Sequence, residues 1–276
     1  MRNVYRELER RVQLDEGNRG IQAIIPSEEQ LYPAATSILN CNSVGILTGF
    51  PCLLNQNPPI ESDGISGALF LAKVLQKLNK PATLLMESYQ AMQELVQWYN
   101  SENSLNVQLS SSMDLHFEGI VAIERAGRAK DGNYYTMRGI QMPNVQPFDT
   151  VYLDEKPCKA KVSIGDGGNE AGLGIFQSSV EENIKLGSTI ASTSKSDYGV
   201  VCSVSTWGGW ALGVAMCLEA GIEVCLEPDQ ERTLAQKLVE LGIRDGVTAE
   251  CSLSIDGMDW AVSNQVILDL LQISKG

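Results

Sequence analysis

Short apolar runs alternate with helical patterns along this chain, and that alternation constrains its fold more than any other feature. The runs Ser43–Thr48, Ala82–Met86, Gly119–Glu124, Lys161–Gly165, Gly199–Val204 and Ile222–Leu226 have the length and side-chain character of buried strands. Between the first two, Ile65, Ala68, Leu69, Ala72 and Leu75 recur at helical spacing, with Lys73, Gln76 and Lys77 on the other face. A second helix pattern spans Ser88–Tyr99. Trp210–Leu218 is apolar all round and predicts a buried helix. Asp229 suits an N-cap for a helix carrying Leu234, Leu238 and Leu241 that Gly242 ends, and a last helix runs from Trp260 to Gln272. An amphipathic first helix places Val4, Leu8 and Val12 together. The expectation is an α/β fold: a doubly wound, mainly parallel sheet with helices on both faces, Rossmann-like, in one domain over residues 1–276. The looser stretches Ser101–Asp114 and Met142–Lys159 are too short to divide it.

Composition narrows the function. Hydrophobic residues make up 43% and charged residues 20%, enough apolar content for a large core. The net charge of -13 argues against nucleic acid and against an anionic membrane surface, and no run is long enough to span a bilayer. Seven cysteines without a CxxC predict reduced, mostly buried thiols in an intracellular protein. The N-terminus carries several acids beside its arginines, is unlike an acid-poor transit peptide and fits the cytoplasm. His116 is the only histidine, so a Ser-His-Asp triad or a histidine zinc site has a single candidate. A homodimer is the base-rate expectation for a soluble enzyme.

Ligands of such sheets bind beyond the carboxyl ends of the strands, and four loops there carry polar residues. Thr48, Gly49, Phe50 and Pro51 lead to Glu61, Ser62, Asp63 and Gly64. Asp63 suits an N-cap of the following helix; Glu61 gains less from capping and is harder to explain structurally. The next loop holds Arg125 and Arg128, forks for a carboxylate or phosphate, with Asn133 and Tyr134 in its polar tail. Asp166, Gly167, Gly168, Asn169 and Glu170 follow: glycines that admit a ligand to the backbone, and acceptors for a cation or ammonium. The fourth loop holds Thr206 and Trp207 as a packing turn or a pocket wall. There is no Walker A loop, Glu170 stands where a dinucleotide fingerprint needs Gly or Ala, and GxSxG is missing.

TGFP with Glu61-Ser62-Asp63-Gly64, IERAGRAKDGNYY (Ile123–Tyr135), GDGGNEAGLG (Gly165–Gly174) and VSTWGGWAL (Val204–Leu212) resemble, in the same order, the C-terminal domain family of D-glutamate cyclase. The chain departs from that pattern at Thr206 and Ser192. The resemblance implies conversion of D-glutamate to 5-oxo-D-proline and water, a hydro-lyase activity, and a mitochondrial location as in the vertebrate form. On that reading Glu61, Asp63, Asp166 and Glu170 are the candidate catalytic acids and bases, with Glu170 as the proton donor. Thr48, Gly49, Arg125, Arg128, Asn133, Tyr134, Gly167, Gly168, Asn169, Thr206 and Trp207 bind the substrate. Arg125 or Arg128 takes the α-carboxylate, and the amides of Gly167–Asn169 form the oxyanion site. No pattern demands a cofactor, but Mg²⁺ on Asp63, Asp166 and Glu170 would offset the crowded carboxylates. Two other readings stay open: a non-catalytic amino-acid or nucleotide binding module, and a Mg²⁺-dependent phosphoryl-transfer enzyme.

Overall fold

The computed structural model describes residues 2–17, 20–153 and 158–276. In chain order the elements are α1 (Arg2–Val12), α2 (Leu31–Leu39), β1 (Val44–Leu47), α3 (Ile65–Lys77), β2 (Ala82–Leu85), α4 (Gln90–Asn103) and β3 (Gln108–Ser110). They continue with β4 (Gly119–Ile123), α5 (Thr150–Leu153), β5 (Ala160–Gly165), α6 (Gln177–Asn183), α7 (Gly187–Ile190), β6 (Tyr198–Val201), α8 (Ser205–Ala220), α9 (Pro228–Glu240) and α10 (Trp260–Ile273). The six strands form one parallel sheet in the order β3-β2-β1-β4-β5-β6. From β1 the chain steps outward through β2 to β3. From β4 it steps the other way, through β5 to β6. Reversed direction with crossovers of one hand puts the connections on opposite faces, so the sheet is doubly wound.

Alternation along the strands sorts the two faces. Val44, Ile46, Val121, Ile123, Val162 and Ile164 join the main core with the long helices. Leu47, Leu85, Ile120 and Ala122 face the other way, against Phe148, Tyr152 and Ala171. The second face is therefore covered by short helices and loops, and Val201 at its edge packs with Val180 and Ile190 of α6 and α7. As its composition predicts, α8 is enclosed, with Trp207 and Trp210 fully buried. Among the described residues no helix is long and apolar enough to cross a membrane.

Four local expectations are corrected. Ile222–Leu226 is not a strand: Cys225 and Leu226 bury themselves in the main core among the helices, so their apolar character needs no sheet. The sixth strand is instead β3, a short edge strand with an exposed Gln108 and no hydrophobic run to reveal it. The N-cap of α9 is Glu227, and Pro228 occupies the first turn ahead of Asp229. Lys73 is buried rather than exposed, its Nζ donating to Gln230 Oε1 at 2.6 Å.

Beside Lys73, Glu231 is enclosed between α3, α8 and α9, where one carboxylate oxygen accepts from Ser66 Oγ and from Trp210 Nε1. Burial pushes this carboxyl up to about 7. The folded chain then holds a proton that the unfolded chain releases. The associated stability is complete below about pH 4.5 and is lost as pH rises through about 7. Glu231→Gln keeps an acceptor oxygen and removes the titration. Thermal melts are expected to give a flatter dependence of Tm on pH between about 5 and 8, with a gain on the order of 3 kcal/mol or less at the alkaline end. A variant with the parent's slope would move that pH dependence to another group.

Candidate active site

At the reversal between β1 and β4, beyond the carboxyl ends of the strands, lies a cavity of about 300 Å³. Its polar walls come from each side of the switch: Glu61 from the loop after β1, Glu124 directly after β4, Asp166 directly after β5, and Asp256 from the segment before α10. Asn169 and Thr136 complete the polar lining, and Arg138 and Lys185 stand exposed at the rim. Phe50, Leu53, Met137, Ile140, Ile184 and Val247 supply apolar wall.

Local chemistry aims these acids. Glu61 is tied to the 244–257 segment: its backbone pairs with Arg244, and Ser62 N donates to Arg244 O at 2.8 Å. The neighbouring Asp245 organises that segment, accepting from Val247 N and Thr248 N on one oxygen and from Ser254 Oγ and Gly257 N on the other. Cys52 Sγ donates to Glu61 Oε1 at 3.3 Å, and burial followed by the Glu61 charge pushes that thiol up. Glu124 sits in the left-handed region at φ 48°, a conformation unfavourable for a side chain of this kind. The facing Gly64 has φ 79°, and a Cβ there would strike Glu124 Cβ and come within 2.8 Å of Ile123 O. Only glycine lets the loop after β1 approach the end of β4 this closely.

Glu124 and Asp166 are the chemically distinctive pair. Glu124, Asp166 and Glu170 bring carboxylate oxygens within 4.8 Å of one another, as do Asp63, Asp166 and Asp256. Burial, then the charges of Asp166, Glu170 and Asp63, push the Glu124 carboxyl well above its ordinary range, which favours its protonated form. Ser205 Oγ donates to Glu124 Oε2 at 2.5 Å. Burial and Asp166 likewise raise Asp63 to about 6. The site thus sets a carboxyl with a raised pKa beside acidic neighbours at the edge of one cavity.

Three of the residues proposed from sequence line this cavity: Glu61, Asp166 and Asn169. The others have different employment. Asp63 does not cap α3; its oxygens accept from Ser205 N at 2.9 Å and Thr206 N at 2.8 Å, capping α8 from 142 residues away. Glu170 accepts from Asp166 N, Gly167 N and Gly168 N at 2.7–2.8 Å, so the amides expected to form an oxyanion site with Asn169 are bonded within their own loop. The expected Mg²⁺ set is divided between two clusters that share Asp166. Arg125 is fully buried in a bidentate pair with Glu87, at 2.6 and 2.7 Å, under Phe148. It also donates to the Gly49 and Thr48 carbonyls, and none of the three lines the cavity. Arg128 pairs through Nε and Nη2 with Asp149, to which Tyr134 also donates at 2.6 Å. Asn133 bonds Asp131 and Gln141 on the outer turn. Trp207 Nε1 donates to Ser263 Oγ in the core, and Thr206 Oγ1 accepts from Gly64 N.

Glu124, Asp256 and Arg138 also line the cavity and are not among the site residues expected from sequence. Glu124 stands at the junction of its strand and the arginine-bearing loop, and its backbone conformation leaves no sequence signal. Asp256 was marked only by the Asp256-Gly257 turn pair.

Comparison with known proteins agrees with the motif resemblance. Residues 8–271 match the family described as D-glutamate cyclase-like, C-terminal. The chain is 31% identical to the Homo sapiens protein named D-glutamate cyclase, mitochondrial, over 92% of this chain and 49% of the relative. It spans about half the length of that curated relative.

Proposed function

The chain belongs to the D-glutamate cyclase-like, C-terminal family, and on that premise we propose that it cyclises D-glutamate to 5-oxo-D-proline and water in the cavity beyond β1, β4 and β5. The observation that carries this reading is the Glu124 carboxyl, its pKa raised by burial, with an oxygen within 4.8 Å of Asp166, both at the cavity wall. The substrate ammonium turns toward the acids, and Arg138 and Lys185 take carboxylate charge at the rim. Asp166 accepts a proton from the ammonium, and the freed amine attacks the γ-carboxyl carbon. Glu124 protonates the departing oxygen. The second nitrogen proton returns to Glu124 as Asp166 passes its own to the oxygen. One water leaves, and both carboxyls regain their starting states.

The human relative's mitochondrial location is extended to this chain within the same reading. A divalent cation on Asp166 is the alternative counter-charge for the acid cluster. The test is mass-spectrometric detection of 5-oxo-D-proline after incubating the 276-residue chain with D-glutamate, with Mg²⁺ or with chelator, and with L-glutamate in parallel. Product from the D-enantiomer alone is expected, at the same rate in chelator. A rate that needs Mg²⁺ would transfer the counter-charge to the metal. Absence of product would remove the cyclase reading for this chain.

A further inference from the structure

We infer that the preferred substrate is a γ-D-glutamyl amide whose amine part carries an apolar group, with free D-glutamate a slower substrate; this rests on the cyclase reading above. The first observation is charge. Glu61, Glu124, Asp166 and Asp256 line the cavity, whereas its two cations, Arg138 and Lys185, are exposed at the rim. The substrate's α-carboxylate has the rim to pair with. A γ-carboxylate must instead lie beside Glu124 and Asp166 to react, adding negative charge where acids already crowd one another. A neutral amide at the γ position avoids that repulsion and the cost of desolvating an anion there.

The second observation is the mouth. Ile140 is 50% exposed and Val247 45% exposed, although both line the cavity. They belong to segments that meet at the rim. Arg138 Nη2 donates to Val247 O at 3.3 Å, and Leu186, 43% exposed, reaches to within 3.0 Å of the Cβ position at Gly139. Single exposed apolar side chains are ordinary, but several gathered at the entrance to one pocket suit recognition of an apolar group. Free glutamate is too short and too polar to cover it. An amine substituent extending outward from the γ-carbonyl would.

The step balances without an external reactant. The α-nitrogen forms its bond to the γ-carbonyl carbon, and the carbon–nitrogen bond to the amine breaks. The two protons lost by the α-ammonium reach the departing nitrogen through Asp166 and Glu124, and the amine leaves as an ammonium ion. No electron is transferred, and the products are 5-oxo-D-proline and the amine.

The experiment compares D-glutamate, D-glutamine and γ-D-glutamyl-benzylamide on the full chain. 5-Oxo-D-proline and benzylamine are quantified by mass spectrometry, and the enzyme-free rate is subtracted. The expected order of kcat/KM is benzylamide, then D-glutamine, then D-glutamate, with about tenfold or more between the extremes. In an Ile140→Ser, Val247→Ser double variant the advantage of benzylamide over D-glutamine is expected to fall about tenfold. Conversion of D-glutamate with the benzylamide no faster would overturn this inference and leave the cyclase reading standing. A benzylamide no better than D-glutamine overturns the inference as stated. Conversion of the benzylamide without D-glutamate would uphold it and overturn D-glutamate as a substrate. If none of the three is converted, both fail.

Discussion

Asp166→Asn is expected to leave the chain folded and to lower 5-oxo-D-proline formation by about 10²–10⁴-fold, the usual loss when a positioned acid–base group is removed. Asp166 stands within reach of Asp63, Glu124, Glu170 and Asp256, so neutralising it relieves repulsion. The same repulsion helps to raise the Glu124 pKa, as the second cause after burial. The substitution therefore takes away the proposed base and also lowers the pKa of the proposed acid. Residual activity should show an alkaline limb displaced to lower pH relative to the parent. Circular dichroism and a thermal melt establish the fold, and the pH profile separates this role from simple loss of binding. A folded variant retaining full turnover would move the base to another carboxylate.

Glu170→Gln is expected to fail in a different way, through the fold. One carboxylate oxygen accepts from Asp166 N and Gly167 N, and the other from Gly168 N. An amide has one acceptor oxygen, so whichever way it turns, at least one buried backbone N–H faces an NH₂ group. An unsatisfied buried donor costs about 1–3 kcal/mol, and the ionised acceptor is lost as well. A fall in Tm of roughly 5–10 °C is expected. Activity should fall with it, because Asp166 begins the loop that Glu170 holds. A parent-like melt with lost activity would instead restore Glu170 to the chemistry.

The sheet was legible because five of its strands are apolar runs punctuated by polar loops, and burial on two faces demands such runs. β3 was not, since a three-residue polar edge carries no such pattern. The site was legible as a region and less so as a set of groups. Every loop after β1, β4 and β5 was identified, and Glu61 stood out because capping did not explain it. Sequence distance hides the rest. Nothing near Asp63 reveals that its partners are Ser205 and Thr206, and nothing near Arg125 reveals Glu87. An acid that binds backbone amides and an acid that faces a cavity have the same letter.

The carboxylates of Asp63 and Glu170 have a consequence for what this architecture can grip. Parallel sheets usually recognise phosphates with the amides of a glycine loop and of a helix start. Here both of those cradles are saturated from within: Asp63 occupies the start of α8, and Glu170 occupies the loop after β5. The chain acts as its own anion, and a nucleotide would have to displace two built-in carboxylates to dock where such folds hold one. A strand order associated with phosphate-bearing cofactors thereby carries, at its switch point, a cavity walled by carboxylates.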